Sequence, residues 1–205
     1  MNRHHSLGCL LEILETLLLT LIVFVAIQTF VAQPFQIQQQ SMENTLMPNQ
    51  YVLVDKLTPQ FGGYQRGDVV VFSPPSSWVH DPTGAPYIKR VIGMSGDTVD
   101  IHDGRVFVNG TALDEPYLYE GQPTLPADPS RHTWTIAAGQ LFVLGDHRAD
   151  SQDSRAFGPI DKSAVIGRAW LRYWPLDQFG IVQPAQTPSE PTATPAPSPS
   201  PSPKK

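Results

Sequence analysis

Two residues in the first half of the chain, Ser41 and Lys89, are of types that together can perform acyl transfer. Ser41 lies in the stretch PFQIQQQSMENTL, directly after a long apolar segment. If this stretch is a strand, alternate side chains share one face, and the face of Ser41 carries Phe35, Ile37 and Gln39. A serine hydroxyl needs an activating base to act as a nucleophile, and most serines are surface or capping residues. Ser41 is therefore a candidate nucleophile only if a base lies beside it.

Lys89 is the candidate base, and it interrupts the apolar run YIKRVIG. In a strand, Lys89 and Arg90 point to opposite faces, so we expect one of the two cations to lie inside the protein. Burial beside neighbours such as Tyr87, Val91 and Met42 would lower the pKa of the lysine, and only a neutral lysine can accept a proton. The alternative is an edge-strand lysine that protects against aggregation.

A third polar feature is the segment LGDHRADSQDSRAFGPI, residues 144–160, which is framed by apolar residues. The pattern predicts a segment that crosses the domain interior or borders a cleft, although a tight surface turn fits it equally. Asp153 and Arg155 are close enough in sequence to form an ion pair. Asp146 and Arg148 are predicted to form a second pair.

The domain that positions these residues, 33–182, is predicted to be mainly β. Short apolar runs bounded by Gly, Pro and Asp are typical of strands, and no segment has clear helical periodicity. The predicted strands include residues 51–57, 68–72, 87–93 and 140–145. The dipeptides Asp103-Gly104 and Asn109-Gly110 are typical of tight hairpin turns. Asn109 also begins a glycosylation sequon, but we favour the turn.

Residues 1–32 are predicted to form a cytoplasmic amino terminus and a transmembrane anchor. The apolar residues 16–32, with 7–15 before them, are long enough to cross a bilayer. A cleaved signal peptide would need small residues at positions −3 and −1, and the two candidate sites have phenylalanine at −3. Arg3 precedes the helix and no Lys or Arg follows until Lys56, which predicts a single pass with the domain outside the cytoplasm.

Composition limits what the rest of the chain can do. Residues 183–205 are rich in Pro, Ser and Thr and are predicted to be disordered, either as an extended spacer or as a terminus without a specific role. The net charge is −5 and no run of Lys or Arg occurs, so nucleic acid is not an expected partner. The single cysteine, Cys9, cannot form an intramolecular disulfide, and it is either a lipidation site or a small apolar residue at a helix start.

The sequence contains no recognisable motif of another type of catalytic site. The nucleophile motif G-x-S-x-G is missing, and Asn44 stands where an S-x-x-K site would need its lysine. Four histidines that could serve a Ser-His-Asp triad lie in no recognisable motif: His80, His102, His132 and His147. No spacing typical of metal ligands occurs, so we expect neither a metal nor another cofactor.

Four segments resemble, in the same order, the four extracytoplasmic boxes of the type I signal peptidases. They are SMENTL (41–46), RGDVVVF (66–72), YIKRVIGMSGDTV (87–99) and GDHRADSQDSRAFG (145–158). Residues 106–118 are similar to the family's β-ribbon, and the resemblance covers residues 16–175. It implies a serine endopeptidase, anchored in a bacterial cell membrane, that removes signal peptides from exported preproteins after A-x-A sites. Its expected partners are the preprotein and the lipid bilayer, and we expect a monomer.

The resemblance also implies roles for single residues. Ser41 corresponds to the nucleophile, Lys89 to the general base and Ser151 to the serine that hydrogen-bonds and orients that lysine. Asp153 and Arg155 match the pair that holds the last box in shape. Three apolar residues match positions that line the pockets for small substrate side chains: Phe35, Ile37 and Ile88.

At three positions the chain departs from the family pattern. Asn44 stands in place of the usual proline, and His147 stands in place of the usual asparagine. Gln39 stands where Ser or Gly is common, at the position that helps to stabilise the oxyanion together with the backbone N–H of Ser41. The side-chain amide of a glutamine can donate a hydrogen bond of the same kind.

Two alternatives remain open from the residues alone. A Ser/Lys protease like the self-cleaving repressors has a similar β domain, but here a membrane segment replaces the DNA-binding helices. An anchored domain without catalysis could bind secreted or wall components, and a missing Ser41 or Lys89 would favour it.

Overall fold

The structure, a computed structural model, describes residues 3–78 and 84–185 of the chain. Helix α1, Arg3–Ala26, continues into a π-helical turn at Ile27–Val31 and then into strand β1, Ala32–Gln36. Within the described residues, one helical segment, Leu11–Val31, is long and apolar enough to cross a membrane by length and composition. Its large apolar side chains are exposed, as a lipid-facing helix requires.

The domain after α1 is built from short strands and two helices of about one turn. The remaining strands are β2 (Tyr51–Asp55), β3 (Val69–Phe72), β4 (Tyr87–Met94), β5 (Thr98–His102), β6 (Arg105–Val108), β7 (Thr111–Ala112), β8 (Thr133–Thr135), β9 (Gln140–Leu144), β10 (Ile160–Asp161), β11 (Val165–Trp174) and β12 (Gly180–Ile181). The helices are α2 (Thr58–Gly62) and α3 (Ser154–Phe157). The mainly β prediction is confirmed, and each of the four predicted apolar runs forms a strand.

Two antiparallel sheets divide these strands. The large sheet has the order β1-β2-β11-β3-β4-β9-β10, with β12 also paired to β11. The small sheet has the order β7-β6-β5-β8. Both dipeptides predicted as hairpin turns join strands of the small sheet, and Asp103, Gly104, Asn109 and Gly110 all have left-handed φ values of 50 to 78°. Such values are typical of the tight turns that Asn-Gly and Asp-Gly favour, so the turn prediction is confirmed.

Strand β4 lies in the middle of the large sheet, between β3 and β9, and every residue from Tyr87 to Gly93 is buried. We expected one of Lys89 and Arg90 to lie inside, and both are buried because the sheet is covered on both faces. The edge-strand alternative for Lys89 is wrong, since β4 has a partner on each side.

The end of the described chain packs against the domain. Residues 183–185 follow β12, and the backbone N–H of Ala185 donates a hydrogen bond to the carbonyl of Gly67 at 3.3 Å. The rest of the segment predicted as a disordered tail, residues 186–205, lies outside the described residues.

Candidate active site

Ser41 lies in the loop between β1 and β2. The strand considered for this stretch ends before Ser41, because β1 ends at Gln36 and Ser41 lies in a turn. Two backbone hydrogen bonds of 2.8 Å, from Ile37 N to Gln50 O and from Asn49 N to Ile37 O, close the base of the loop. We call residues 37–50 the nucleophile loop.

A tight turn inside the nucleophile loop fixes the position of Ser41. The backbone N–H of Leu46 donates to Met42 O at 2.7 Å, and the side chains of Met42 and Leu46 are fully buried in an apolar cluster. Ser41 itself is buried. Because the two apolar neighbours hold the turn in the core, the Ser41 hydroxyl is presented at a defined position and not on a mobile loop.

Lys89 meets Ser41 inside the domain. Its Nζ lies 2.7 Å from Ser41 Oγ and 3.0 Å from the carbonyl oxygen of Ile88. The lysine side chain is 1% exposed, and burial lowers its pKa to about 8, although the carboxylates of Asp153 and Asp146 act in the opposite direction. A lysine with this pKa is neutral in a substantial fraction of molecules at mildly alkaline pH, so it can accept the proton of a neighbouring hydroxyl.

Gly145, directly after β9, allows the nucleophile loop to approach the sheet. A Cβ atom at this position would lie 2.5 Å from the carbonyl oxygen of Ser41 and would also collide with the side chain of Ser151. The same Ser41 carbonyl accepts a hydrogen bond of 3.1 Å from the backbone N–H of His147. Sequence reasoning missed Gly145, and its only signal was a glycine at the end of a buried strand.

Asp153 organises the polar segment after β9. Its carboxylate accepts hydrogen bonds from Arg155 Nε at 2.9 Å, from Ser151 Oγ at 2.7 Å and from Gly145 N at 3.2 Å. Burial by itself raises the pKa of the Asp153 carboxyl, but the hydrogen bonds and charge of Arg155 outweigh it and leave the pKa below its ordinary value. The predicted Asp153–Arg155 ion pair is therefore present and buried.

Ser151 donates its hydroxyl to Asp153 and does not contact Lys89 by a hydrogen bond among the residues that the structure describes. Its expected role in orienting Lys89 stays a prediction.

The predicted pair of Asp146 with Arg148 is wrong. Asp146 pairs with Arg90 of β4 at 2.6 Å, and Arg148 pairs with Glu115 at 2.6 Å. The reason is that Asp146 lies beside the neighbouring strand β4 in the interior, where Arg90 needs a buried counter-ion. The Asp146 carboxylate also accepts a 2.5 Å hydrogen bond from Thr45 Oγ1, which ties the nucleophile loop to β4.

A cleft of about 590 Å³ opens at Ser41. Its lining residues are Gln38, Gln39, Gln40, Ser41, Pro48, Tyr87, Asp150 and Gln152. Gln39 is thus at the cleft, with an exposed side chain. The apolar residues expected to line substrate pockets are not among these lining residues: Ile37 and Ile88 belong to a buried core cluster, and Phe35 packs against it. Their role in substrate binding stays a prediction.

The two other departures from the family pattern make contacts of their own. Asn44 has a φ of 82°, and its side-chain amide donates to the carbonyls of Tyr117 and Leu118 at 3.1 and 3.3 Å. A proline could not adopt this φ. His147 places its Nδ1 3.2 Å from a carboxylate oxygen of Glu43.

Among the described residues, no three His, Cys, Asp or Glu side chains come together in a way that could hold a metal ion.

Comparison with known proteins gives concordant results. The family model described as signal peptidase, peptidase S26, matches residues 10–174. A relative named signal peptidase I, from Leptolyngbya laminosa, is 36% identical over 177 residues, which is 85% of each chain. Signal peptidase IB of Staphylococcus aureus (strain Mu50 / ATCC 700699) is 32% identical over 185 residues, 83% of this chain and 92% of its own.

Another relative, probable signal peptidase I-2 of a Synechocystis species, is 34% identical over 84% of this chain and 77% of its own. A crystal structure of a signal peptidase I from Enterococcus faecalis V583 matches with a TM-score of 0.40 at 31% identity, and it covers 51% of this chain and 95% of that chain.

Proposed function

Because the chain belongs to the signal peptidase family, peptidase S26, we propose that it is a membrane-anchored serine endopeptidase that removes amino-terminal signal peptides from exported preproteins. The observation that carries the catalytic part of this proposal is the 2.7 Å contact between Lys89 Nζ and Ser41 Oγ in a buried site. The same contact argues against an anchored domain that only binds, since both reactive groups are in reach of each other.

The reaction is acyl transfer in two steps. The neutral amine of Lys89 takes the proton of the Ser41 hydroxyl, and the oxygen attacks the carbonyl carbon of the scissile bond. The resulting lysine ammonium gives its proton to the leaving amine, so the mature protein departs with a new amino terminus. Lys89 then takes a proton from water as the water oxygen attacks the acyl-enzyme, and it returns this proton to Ser41 Oγ as the ester bond breaks and the signal peptide is released.

Two groups are proposed to stabilise the oxyanion. Among the described residues, the backbone N–H of Ser41 has no hydrogen-bond acceptor, so it is free to bind a substrate oxygen. Gln39 lines the same cleft and can donate from its side-chain amide. Donors that point at the developing charge contribute on the order of 3 kcal/mol of transition-state stabilisation each.

The anchor and the fold around Ser41 suggest how the substrate arrives. The cleft belongs to a loop only a few residues after β1, and β1 follows directly on the apolar helix. A signal helix in the same bilayer would present its extended carboxyl end near this loop. We propose an amino terminus in the cytoplasm, residues 33–182 outside it, and a monomer that acts at the bilayer surface.

Small side chains before the cleaved bond are the proposed specificity. The basis is the resemblance to the type I signal peptidases, in which Phe35, Ile37 and Ile88 match pocket-lining positions. In the structure, Ile37 and Ile88 are buried in one apolar cluster, and Phe35 packs against it. Under this proposal, Ala, Gly or Ser is accepted and larger residues are rejected by overlap.

Cleavage of a purified preprotein tests the function. The full chain in detergent should cut a preprotein with an A-x-A site, and amino-terminal sequencing of the product should begin with the residue after the second alanine. Replacing either alanine with leucine should lower the rate by at least about tenfold. Cleavage at other peptide bonds, or equal rates for the Ala and Leu substrates, would contradict the proposal.

A further inference from the structure

Asp150 occupies an unusual place at the edge of the cleft. It ends the 3-10 turn Arg148–Asp150 and lines the same cleft as Ser41. Its side chain is exposed, and within residues 3–78 and 84–185 its carboxylate forms no hydrogen bond or ion pair. It is also close enough to Lys89 for its charge to act on the pKa of that lysine.

The other charged groups around the dyad neutralise one another. Arg90 pairs with Asp146 at 2.6 Å, Arg155 pairs with Asp153 at 2.9 Å, and Arg148 pairs with Glu115 at 2.6 Å. These three ion pairs are buried or nearly so and face into the domain.

Among the lining residues of the cleft, Asp150 is the one with a charged side chain. The others offer amides, hydroxyls, a proline ring and apolar carbon, and none of them can compensate a carboxylate electrostatically. Because Lys89 is neutral in the reactive form of the proposed dyad, a substrate in the cleft then meets the Asp150 carboxylate without an ion-pair partner within the described part of the chain.

We propose that Asp150 makes the cleft select substrates by charge, so that preproteins with a basic side chain next to the scissile bond are preferred to those with an acidic one. This inference rests on the proposed function and adds a residue to its specificity. A substrate Lys or Arg would be attracted by Asp150, whereas a substrate Glu or Asp would be repelled. Since Asp150 is exposed, water and salt screen the effect, which makes it a preference and not an absolute requirement.

The experiment compares matched peptides that share one A-x-A cleavage site. Lys, Gln or Glu is placed in turn at each position within two residues of the cleaved bond, and kcat/KM is measured for each peptide with the full chain in detergent. At the most sensitive position, the Lys peptide should exceed the Glu peptide by about three- to tenfold, because attraction and repulsion each contribute a factor typical of an exposed ion pair. The ratio should decrease as salt is added.

Variants at Asp150 provide the decisive comparison. Asp150→Asn should bring the Lys/Glu ratio close to one, and Asp150→Lys should invert it. The ratio is taken within one enzyme at one pH, so a change in the pKa of Lys89 affects both peptides equally and cancels. Asp103→Asn is the control, since Asp103 is an exposed carboxylate on the β5–β6 turn of the other sheet, and its ratio should equal that of the wild type.

The outcomes separate this inference from the proposed function. If the wild type cleaves the Gln peptides but treats Lys and Glu peptides alike, or if Asp150→Asn keeps the full ratio, charge selection by Asp150 is wrong while the peptidase function stands. If no peptide is cleaved by the wild type, both the proposed function and the selectivity are overturned.

Discussion

At the scale of single residues, the proposed chemistry depends on the lowered pKa of Lys89, the proposed base. Lys89 lies in β4, in which every residue from Tyr87 to Gly93 is buried, and burial lowers the pKa of Lys89 to about 8. Below this value the ammonium form dominates and cannot accept the serine proton. We therefore expect kcat/KM on a neutral peptide to rise about tenfold per pH unit below about pH 8 and to level off above it.

The profile is measured between about pH 6 and 10 under conditions where chemistry limits the rate. A flat profile over this range would mean that no group with the pKa of Lys89 controls the reaction.

Gly145 gives a second prediction at the residue scale. Gly145→Ala adds a methyl group where the Ser41 carbonyl and the Ser151 side chain already lie, so the nucleophile loop must move away from Lys89. Because small displacements of reacting groups are costly, we expect kcat to fall by at least about 100-fold. Gly180→Ala is the matched control, since a Cβ there meets no atom within 4 Å, and its activity should equal that of the wild type. Equal activity of both variants would contradict the assigned role of Gly145.

The sequence predicted the proposed nucleophile and base, Ser41 and Lys89, but not the groups that bring them together. Lys89 was recognisable because a cation in an apolar strand is unusual, and Ser41 because of the resemblance. The partners of Asp146 and Arg148 were misassigned, since the contact of Asp146 with Arg90 joins segments 56 residues apart. Pairing across a sheet depends on register, and local spacing does not contain it.

At the scale of elements, the segment after β9 is held in place by hydrogen bonds to Asp153. Asp153 accepts hydrogen bonds from Arg155, Ser151 and the backbone of Gly145, so one carboxylate joins the start of α3 to the end of β9. Asp153→Asn leaves the Arg155 guanidinium buried without its counter-ion. We expect a loss of about 3–5 kcal/mol in the free energy of unfolding, measured by urea denaturation in detergent.

The contribution of the Asp153 carboxylate to stability should also depend on pH in the acidic range. The folded-state pKa of Asp153 is lowered, so its contribution to stability is present above its ordinary value of 3.8 and is lost as the pH falls through the lower folded value. The wild type should therefore lose more stability than Asp153→Asn over this acidic range. Asp161→Asn, at an exposed carboxylate on β10, should behave like the wild type. A parallel pH dependence of the wild type and Asp153→Asn would contradict the assignment.

Strands and turns were more predictable than loops. Apolar runs and the dipeptides Asp103-Gly104 and Asn109-Gly110 carry local information, and the structure agrees with them. The strand considered for residues 35–41 ends at Gln36, because the hydrogen bonds between Ile37 and residues 49 and 50 close a loop at that point. These hydrogen bonds join residues 12 and 13 positions apart, and the alternating pattern before Ser41 does not predict them.

At the scale of the whole molecule, the anchor and the domain are separable by packing. The three apolar clusters of the domain include no residue of α1 among the described residues. A chain that begins at Ala32 should therefore fold and cleave a soluble peptide within about threefold of the full chain, because the site is intact. Its rate on a preprotein embedded in vesicles should fall by at least about tenfold, since the anchor no longer concentrates the enzyme at the bilayer.

The two rates are compared for the same preparations, and the soluble peptide is the control for folding. Equal loss on both substrates would show that the helix is needed for the fold. Equal retention on both would show that anchoring does not assist catalysis on membrane substrates.

The proposed peptidase activity depends most directly on Ser41 as nucleophile and Lys89 as base. The decisive measurement is the initial rate of preprotein cleavage at about pH 9 by the wild type, Ser41→Ala and Lys89→Ala, each in the same detergent and each with an unchanged fluorescence spectrum. Both variants should lose at least about 1000-fold in the cleavage rate and become indistinguishable from a reaction without enzyme. Cleavage at the same site by either variant at a rate near that of the wild type would contradict this assignment.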